Sequence, residues 1–284
     1  MNPVRRILDF LHIDRDFVKE THHKIIVHYH IYKTAGSTIL EGMRSIAGKV
    51  GFVEIDKHAE FATEKAYNID FFERLATTHP ELSAFTAHRV VPNIHQSRKL
   101  DVFPIAFVRH PLLRGNSVYR FELIRRDDWP RKEIARQHDF AGWLEWCLGP
   151  EQFIECRNVQ SRLFSLADNG RLPMGSPTAL QRGDLSLVFE RLDSMPVVGV
   201  VEHFDRSLAA INRAAQPLFP GFEIPNARVN VTKVVDDWQA ELAAVEAEIP
   251  RTVLDRFYEA NADDLAMFER YRARLLAMPE PAAT

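Results

Sequence analysis

The sequence predicts an α/β protein built in three layers, a central parallel sheet with helices on both faces. Three observations carry that expectation. Short, β-branched apolar runs recur along the chain and read as buried strands. Stretches with helical apolar spacing alternate with them, and that order produces parallel sheets covered on both sides. The first run, residues 24–31, passes through a small polar loop directly into helical spacing, with Ile39, Met43 and Ile46 on one face.

Taken in order, residues 1–20 read as an N-terminal lead-in helix. The strand at 24–31, the loop and the helix from Ile39 follow. Residues 51–55 form the second strand, and 70–76 a short helix with Phe71, Phe72 and Leu75 apolar. Residues 82–88 form the third strand. Residues 102–108 are the strongest later strand, with Pro104 near its start, where proline is tolerated. Pro111 suits the first turn of the helix after it. Residues 131–170 read as helical, with Phe140, Trp143, Leu144 and Cys147 at apolar spacing and a break at Gly149-Pro150. Residues 171–184, rich in Gly, Pro and Ser, read as a surface loop. Residues 195–201 form another buried strand, followed by a helix over 206–215. From Asp236 the pattern is helical to Ala277, broken at Pro250, and residues 278–284 read as a disordered tail. No repeat or low-complexity segment interrupts residues 1–284, which read as a single domain.

Composition narrows the function classes. The chain has 284 residues and ordinary apolar and charged fractions. A net charge of −3 gives no global argument for nucleic acid or a membrane surface. No apolar run approaches the ~20 residues that span a bilayer, and Asp9, His12 and Asp14 interrupt the N-terminal apolar patch, so it makes a poor secretory signal. The two cysteines, Cys147 and Cys156, make no disulfide framework; reduced, structural thiols in a cytoplasmic protein fit them better. Oligomeric state is not readable.

The loop after the first strand carries the chemistry. Strand, tight loop and helix N-terminus together bind phosphate or sulfate, because free N–H groups and the positive end of the helix dipole face the anion. Lys33 adds a point charge, and Ser37 and Thr38 can cap the helix or donate to an anion oxygen. A nucleotide-hydrolase P-loop places glycine before its lysine; here Lys33 precedes Gly36, so that pattern fails. The stretch His30-Ile31-Tyr32-Lys33-Thr34-Ala35-Gly36-Ser37-Thr38 resembles the phosphosulfate loop H-I-P-K-T-[AG]-G-[ST]-[ST] of the carbohydrate sulfotransferases, the Golgi-type heparan and chondroitin family, with Tyr32 in place of proline. The resemblance implies a P-loop-like fold and 3′-phosphoadenosine-5′-phosphosulfate (PAPS) as the sulfuryl donor. Lys33, Thr34, Ala35, Gly36, Ser37 and Thr38 would surround its 5′-phosphosulfate.

A second constellation follows the strand at 102–108. A guanidinium at a strand end, Arg109, with Ser117 on the next helix makes a fork for a second phosphate. Arg109, Pro111, Arg114, Ser117 and Tyr119 match the family's 3′-phosphate pattern R-[DH]-P-x-x-R-x-x-S-x-[YF]. By that resemblance Arg109 and Ser117 hold the 3′-phosphate. His88, after the third strand, stands where the family places a base on the acceptor hydroxyl, although Ala87 replaces the usual glycine before it. Its ordinary pKa suits it to accept a proton near neutrality. Three weaker matches follow. Asn158-Val-Gln160-Ser-Arg162 implies acceptor contacts from Gln160 and Arg162. Residues 198–208 contain Glu202, Phe204 and Ser207. Asn230, Thr232 and Lys233 lie in a loop that the family keeps near the donor.

Two further features have a plain and a sharp reading. His28 and His30 alternate onto one strand face as two metal ligands would, but with no third ligand at a recognisable spacing, ordinary packing is the expectation. Arg120, Arg125, Arg126, Arg131, Lys132 and Arg136, interleaved with Asp127, Asp128 and Glu133, form either a solvated face or a groove for an anionic sugar.

Together these readings imply a sulfotransferase that moves a sulfuryl group from PAPS to an acceptor hydroxyl on a carbohydrate. No metal is required, because a sulfuryl group carries less charge than a terminal phosphoryl group and the strand ends in Arg109 rather than a metal-managing aspartate. The family's eukaryotic members are usually anchored in the Golgi membrane; without such an anchor this chain reads as soluble and cytoplasmic. The rival readings are a P-loop kinase or nucleotide hydrolase, and a nucleotide-binding scaffold without catalysis. Tyr32 and Ala87 are the departures that favour the latter.

Overall fold

The first strand is buried on both faces, and the rest of the sheet is arranged around it. Along His23–Tyr29 (β1), Ile25, Val27 and Tyr29 face one side and Ile26 and His28 the other, and all five are buried. The structure, a computed structural model, describes residues 22–45, 51–61, 64, 66–125, 130–149, 156–166, 184–226 and 237–280. After β1 come α1 (Gly36–Ser45), β2 (Phe52–Glu54), α2 (Ile69–Thr78), β3 (Ala84–Ala87) and β4 (Leu100–Val108). Helices α3 (Pro111–Ile124), α4 (Pro130–Gln137), α5 (Phe140–Cys147), α6 (Val159–Phe164) and α7 (Leu185–Asp193) follow. Then come β5 (Val198–Val200), α8 (Phe204–Ala215), α9 (Trp238–Ala247), α10 (Arg251–Ala260) and α11 (Ala262–Ala277).

The sheet runs β2-β3-β1-β4-β5, and every pairing is parallel. From β1 the chain goes to the edge at β2, returns to β3 beside β1, and then crosses to β4 and β5 on the other side, so the order reverses at β1. In open parallel sheets ligands bind beyond the C-terminal strand ends at such a reversal. Here the crevice is bounded by the exits of β1, β3 and β4, where the loop, His88 and Arg109 lie.

Each face of β1 has its own cover. Ile25, Val27 and Tyr29 pack with Phe71, Phe72 and Leu75 of α2, Val188 and Leu192 of α7, and Met267, Phe268 and Tyr271 of α11. Ile26 packs on the opposite face with Phe103, Ile105 and Phe107 of β4, Ile39 and Met43 of α1, and Leu208 and Ile211 of α8. Each fully buried side chain of this size contributes about 1.5–3 kcal/mol. A third cluster joins α3, α5, α9 and α10 beside the sheet and contains both cysteines, which are free and buried. Side-chain caps start several helices: Asn68 accepts from Phe71 N–H at 3.0 Å and Asp139 from Gly142 N–H at 2.8 Å.

The differences from the expected elements have local causes. Pro104 lies in the middle of β4, not near its start. It is tolerated because β5 pairs only with residues 106–108, so β4 is an edge on that side at Pro104. The strand expected over 195–201 contracts to Val198–Val200, since Ser194 and Met195 still close α7 and Pro196 has no N–H to give a ladder. The long C-terminal helical stretch breaks at Asn261 as well as near Pro250. Asn261 is drawn out of the helical register by bonds to Cys156 O, Phe257 O and Asn158 N–H. The lead-in helix, the loop at 171–183 and the last four residues of the expected tail lie outside the described residues. Among the described residues, no helix is long and apolar enough to cross a membrane.

Candidate functional site

The β1 exit forms a cupped turn. Lys33 and Ala35 both adopt left-handed backbone, with φ of 68° and 63°. Such a conformation costs a non-glycine residue about 1–2 kcal/mol, and its alternation with ordinary residues turns successive N–H groups toward one concave side, a nest for an anion. Helix α1 begins at Gly36, where the first N–H groups have no intrahelical acceptors. Thr34 is buried and donates its hydroxyl to Ile31 O at 2.9 Å, so it braces the turn, while Ser37 is exposed at the helix start and Thr38 is buried behind it. Gly36 is fixed by contact rather than by φ. A Cβ there would meet the His30 ring at 1.9 Å.

Three side chains from elsewhere hold the carbonyls of this loop. His88 Nδ1 lies 2.7 Å from His30 O, Arg114 Nη1 donates to Tyr32 O at 3.5 Å, and Arg109 Nη1 donates to Lys33 O at 3.2 Å. His88, Arg109 and the loop after β1 are thus one bonded assembly. Because a carbonyl can only accept, His88 must carry its proton on Nδ1, which leaves Nε2 as the free acceptor. The His88 backbone N–H is anchored to Asp56 Oδ2 at 2.6 Å, and its ring is exposed and stacked on His30 with centroids 4.1 Å apart.

Below it, His28 and His30 stack at 5.2 Å, and His28 shares a 2.8 Å hydrogen bond with Thr86 Oγ1. Burial, reinforced by the neighbouring imidazoles, holds His28 well below its ordinary pKa and His30 at about 3. Packed, neutral rings account for the alternation seen in the sequence. Among the described residues, no group of three or more His, Cys, Asp or Glu side chains is placed to hold a metal ion.

Lys33 Nζ sits 4.7 Å from the centroid of the Phe121 ring. Burial lowers its pKa, the nearby Arg109 charge adds to that, and Glu122 opposes them. Glu122 is fully buried and faces Arg125 at 3.5 Å and Arg131 at 4.0 Å. Those two arginines of the basic stretch turn inward, so the solvated-face reading fails for them. On α3, Arg114 and Phe121 both touch the loop; Ser117, half-buried, lies between them at the spacing that shares their face.

Arg109 stands where β4 ends. Its Nε is 3.8 Å from Glu202 Oε1, and the same carboxyl oxygen accepts from His110 N–H at 3.0 Å. Burial raises Glu202 to about 7, against the pull of Arg109. Gln160 is fully buried, with both amide atoms on the Arg109 backbone, so it stands behind the arginine rather than facing an open surface. Arg162 is buried as well. Burial lowers its pKa while the Asp264 charge raises it. Asn230, Thr232 and Lys233 lie outside the described residues. No family model matches the chain. It is similar to an uncharacterized protein of Archaeoglobus fulgidus, 28% identical over 255 residues that cover 87% of this chain and 95% of that protein.

The sequence attaches no role to Asp56, Phe121 or Asp264. Each lacks a signal of its own, since its importance comes from a partner on another element. Glu202 stood inside a weak motif with no role attached; the structure gives it His110 N–H and the Arg109 charge.

Proposed function

We propose that this chain is a PAPS-dependent sulfotransferase acting on a hydroxyl. The observation that carries the reading is the shared loop, whose carbonyls at 30 and 33 are hydrogen-bonded by His88 and Arg109. A donor with its phosphosulfate in the nest and its 3′-phosphate at Arg109 would bring the sulfur close to His88. In the proposed reaction, the acceptor oxygen forms a bond to sulfur as the bond from sulfur to the bridging phosphate oxygen breaks. His88 Nε2 takes the acceptor proton, and Lys33 with the N–H groups of residues 35–37 meets the negative charge growing on the leaving oxygen. Arg109 and Ser117 take the 3′-phosphate. These groups supply the charge stabilisation without a divalent ion. We place the acceptor hydroxyl on a carbohydrate and the reaction in the cytoplasm, where the two free, buried cysteines are at home.

The test is calorimetric titration with the product nucleotide, 3′-phosphoadenosine-5′-phosphate (PAP), without metal, for the wild type and Arg109→Ala. The expected result is metal-free binding that weakens by about ten- to a hundredfold in the variant, the worth of a charged hydrogen-bond pair. Equal binding of ADP and PAP by the wild type, or ATP turnover that depends on Mg²⁺, would sink the reading.

A further inference from the structure

Strand β4 ends at Val108, so the backbone of Arg109 has no rung of the sheet to complete its hydrogen bonds. Gln160 fills that place from α6. Its Oε1 accepts from Arg109 N–H at 2.8 Å, and its Nε2 donates to Arg109 O, also at 2.8 Å. A primary amide presents an acceptor oxygen and a donor nitrogen side by side, as a neighbouring strand would, and its second N–H is left for another partner.

Gln160 is itself held in one orientation. The carboxylate of Asp264, fully buried on α11, accepts from Gln160 N–H at 3.1 Å, Gln160 Nε2 at 3.3 Å and Ser161 N–H at 2.7 Å. An ionised carboxylate can only accept, so Nε2 must face it, and Oε1 is left for the Arg109 N–H. The debt is mutual between the two helices. Asn158 Oδ1 accepts from the N–H groups of Asp263 and Asp264, each at 3.1 Å, with Asn158 in a left-handed conformation at φ 48°. Each helix N-terminus is capped by a side chain from the other. The chain of contacts thus runs from the α6–α11 clasp through one amide to the backbone of Arg109, whose guanidinium then reaches Lys33 O.

We propose that Gln160, oriented by Asp264, is a positioning residue for Arg109 and sets the preference of the site for a nucleotide carrying a 3′-phosphate. This rests on the assignment of Arg109 to that phosphate. With its backbone held by Gln160 at two points and its guanidinium on Lys33 O, Arg109 is ordered before the ligand arrives, and the ligand does not have to supply the ordering.

The experiment compares PAP with ADP in metal-free calorimetric titrations of the wild type, Gln160→Leu and Asp264→Asn, with thermal midpoints measured alongside. Gln160→Leu keeps most of the volume and removes both bonds to Arg109. Its affinity for PAP should fall by at least about tenfold, the scale of one charge-assisted hydrogen bond, while ADP binding stays within about twofold. Asp264→Asn frees the amide to rotate and should shift the preference the same way by a smaller factor; it carries the comparison if the leucine variant does not fold. An unchanged PAP preference in the variants overturns the proposal. So does an equal loss for PAP and ADP, which is what general loosening of the fold produces. If the wild type itself fails to prefer PAP, the 3′-phosphate assignment has failed, a result read before any variant is made.

Discussion

The His30 carbonyl leaves His88 one usable nitrogen, and replacing that ring isolates its contribution. In the proposed reaction His88→Ala should lower kcat by about 10²- to 10⁴-fold, the usual worth of a general base, with PAP binding close to that of the wild type. A variant that turns over at the wild-type rate would remove His88 from the chemistry. At this scale the sequence singles out Lys33, Gly36, His88 and Arg109, which the structure brings together, because residue type and order around a helix start are local facts. It shows Gly36 for an incomplete reason, since it identifies a loop glycine but not the His30 ring that forbids a Cβ. Asp56, which pins the His88 backbone, is 32 residues away in the chain and carries no pattern that points there.

Secondary-structure elements repeat the lesson. Strands β1 and β4 are legible from near-continuous apolar runs, residues 25–27 and 102–108, because a strand buried on both faces has little polar alternation to blur it. Strand β5 is legible in position but not in length, and its middle residue explains how it fits. Gly199 lies under the Phe107 ring, where an added Cβ would meet Cε1 at 2.5 Å, and that ring is already stacked on Phe204. Gly199→Ala should therefore cost about 1–3 kcal/mol by overpacking and lower the thermal midpoint by several degrees. PAP binding should weaken with it, because Glu202, just beyond β5, holds the His110 backbone. A thermal midpoint equal to that of the wild type would show that the β4–β5 contact is looser than described. The break at Asn261 is invisible in sequence, since its cause is a set of bonds to residues on both sides of a gap of about one hundred positions.

For the molecule as a whole, the buried titratable groups fix the direction of its pH dependence. Burial holds His28 well below 6.5, His30 at about 3, and His95 and His110 at about 4. Below pH 6.5 the unfolded chain binds protons that these rings refuse in the fold, so their contribution to stability falls as pH drops. Glu202 acts oppositely. Its pKa is raised from 4.5 to about 7, so its contribution is full in acid and is lost as pH rises through that window. Four histidines outweigh one carboxyl, and the thermal midpoint should fall steadily from pH 6.5 to pH 4.5. A midpoint that holds level or climbs over that range would contradict the buried, neutral state of the histidine column. The overall α/β plan and the three strand exits are readable in the sequence, while the mutual capping of α6 and α11 is not. That clasp also dictates when the site comes into being. During synthesis the ribosome releases the loop, His88, Arg109 and Gln160 long before Asp264, so a nascent chain holds these residues without the group that orients Gln160. The Gln160 amide gains its carboxylate partner only when α11 has emerged and docked.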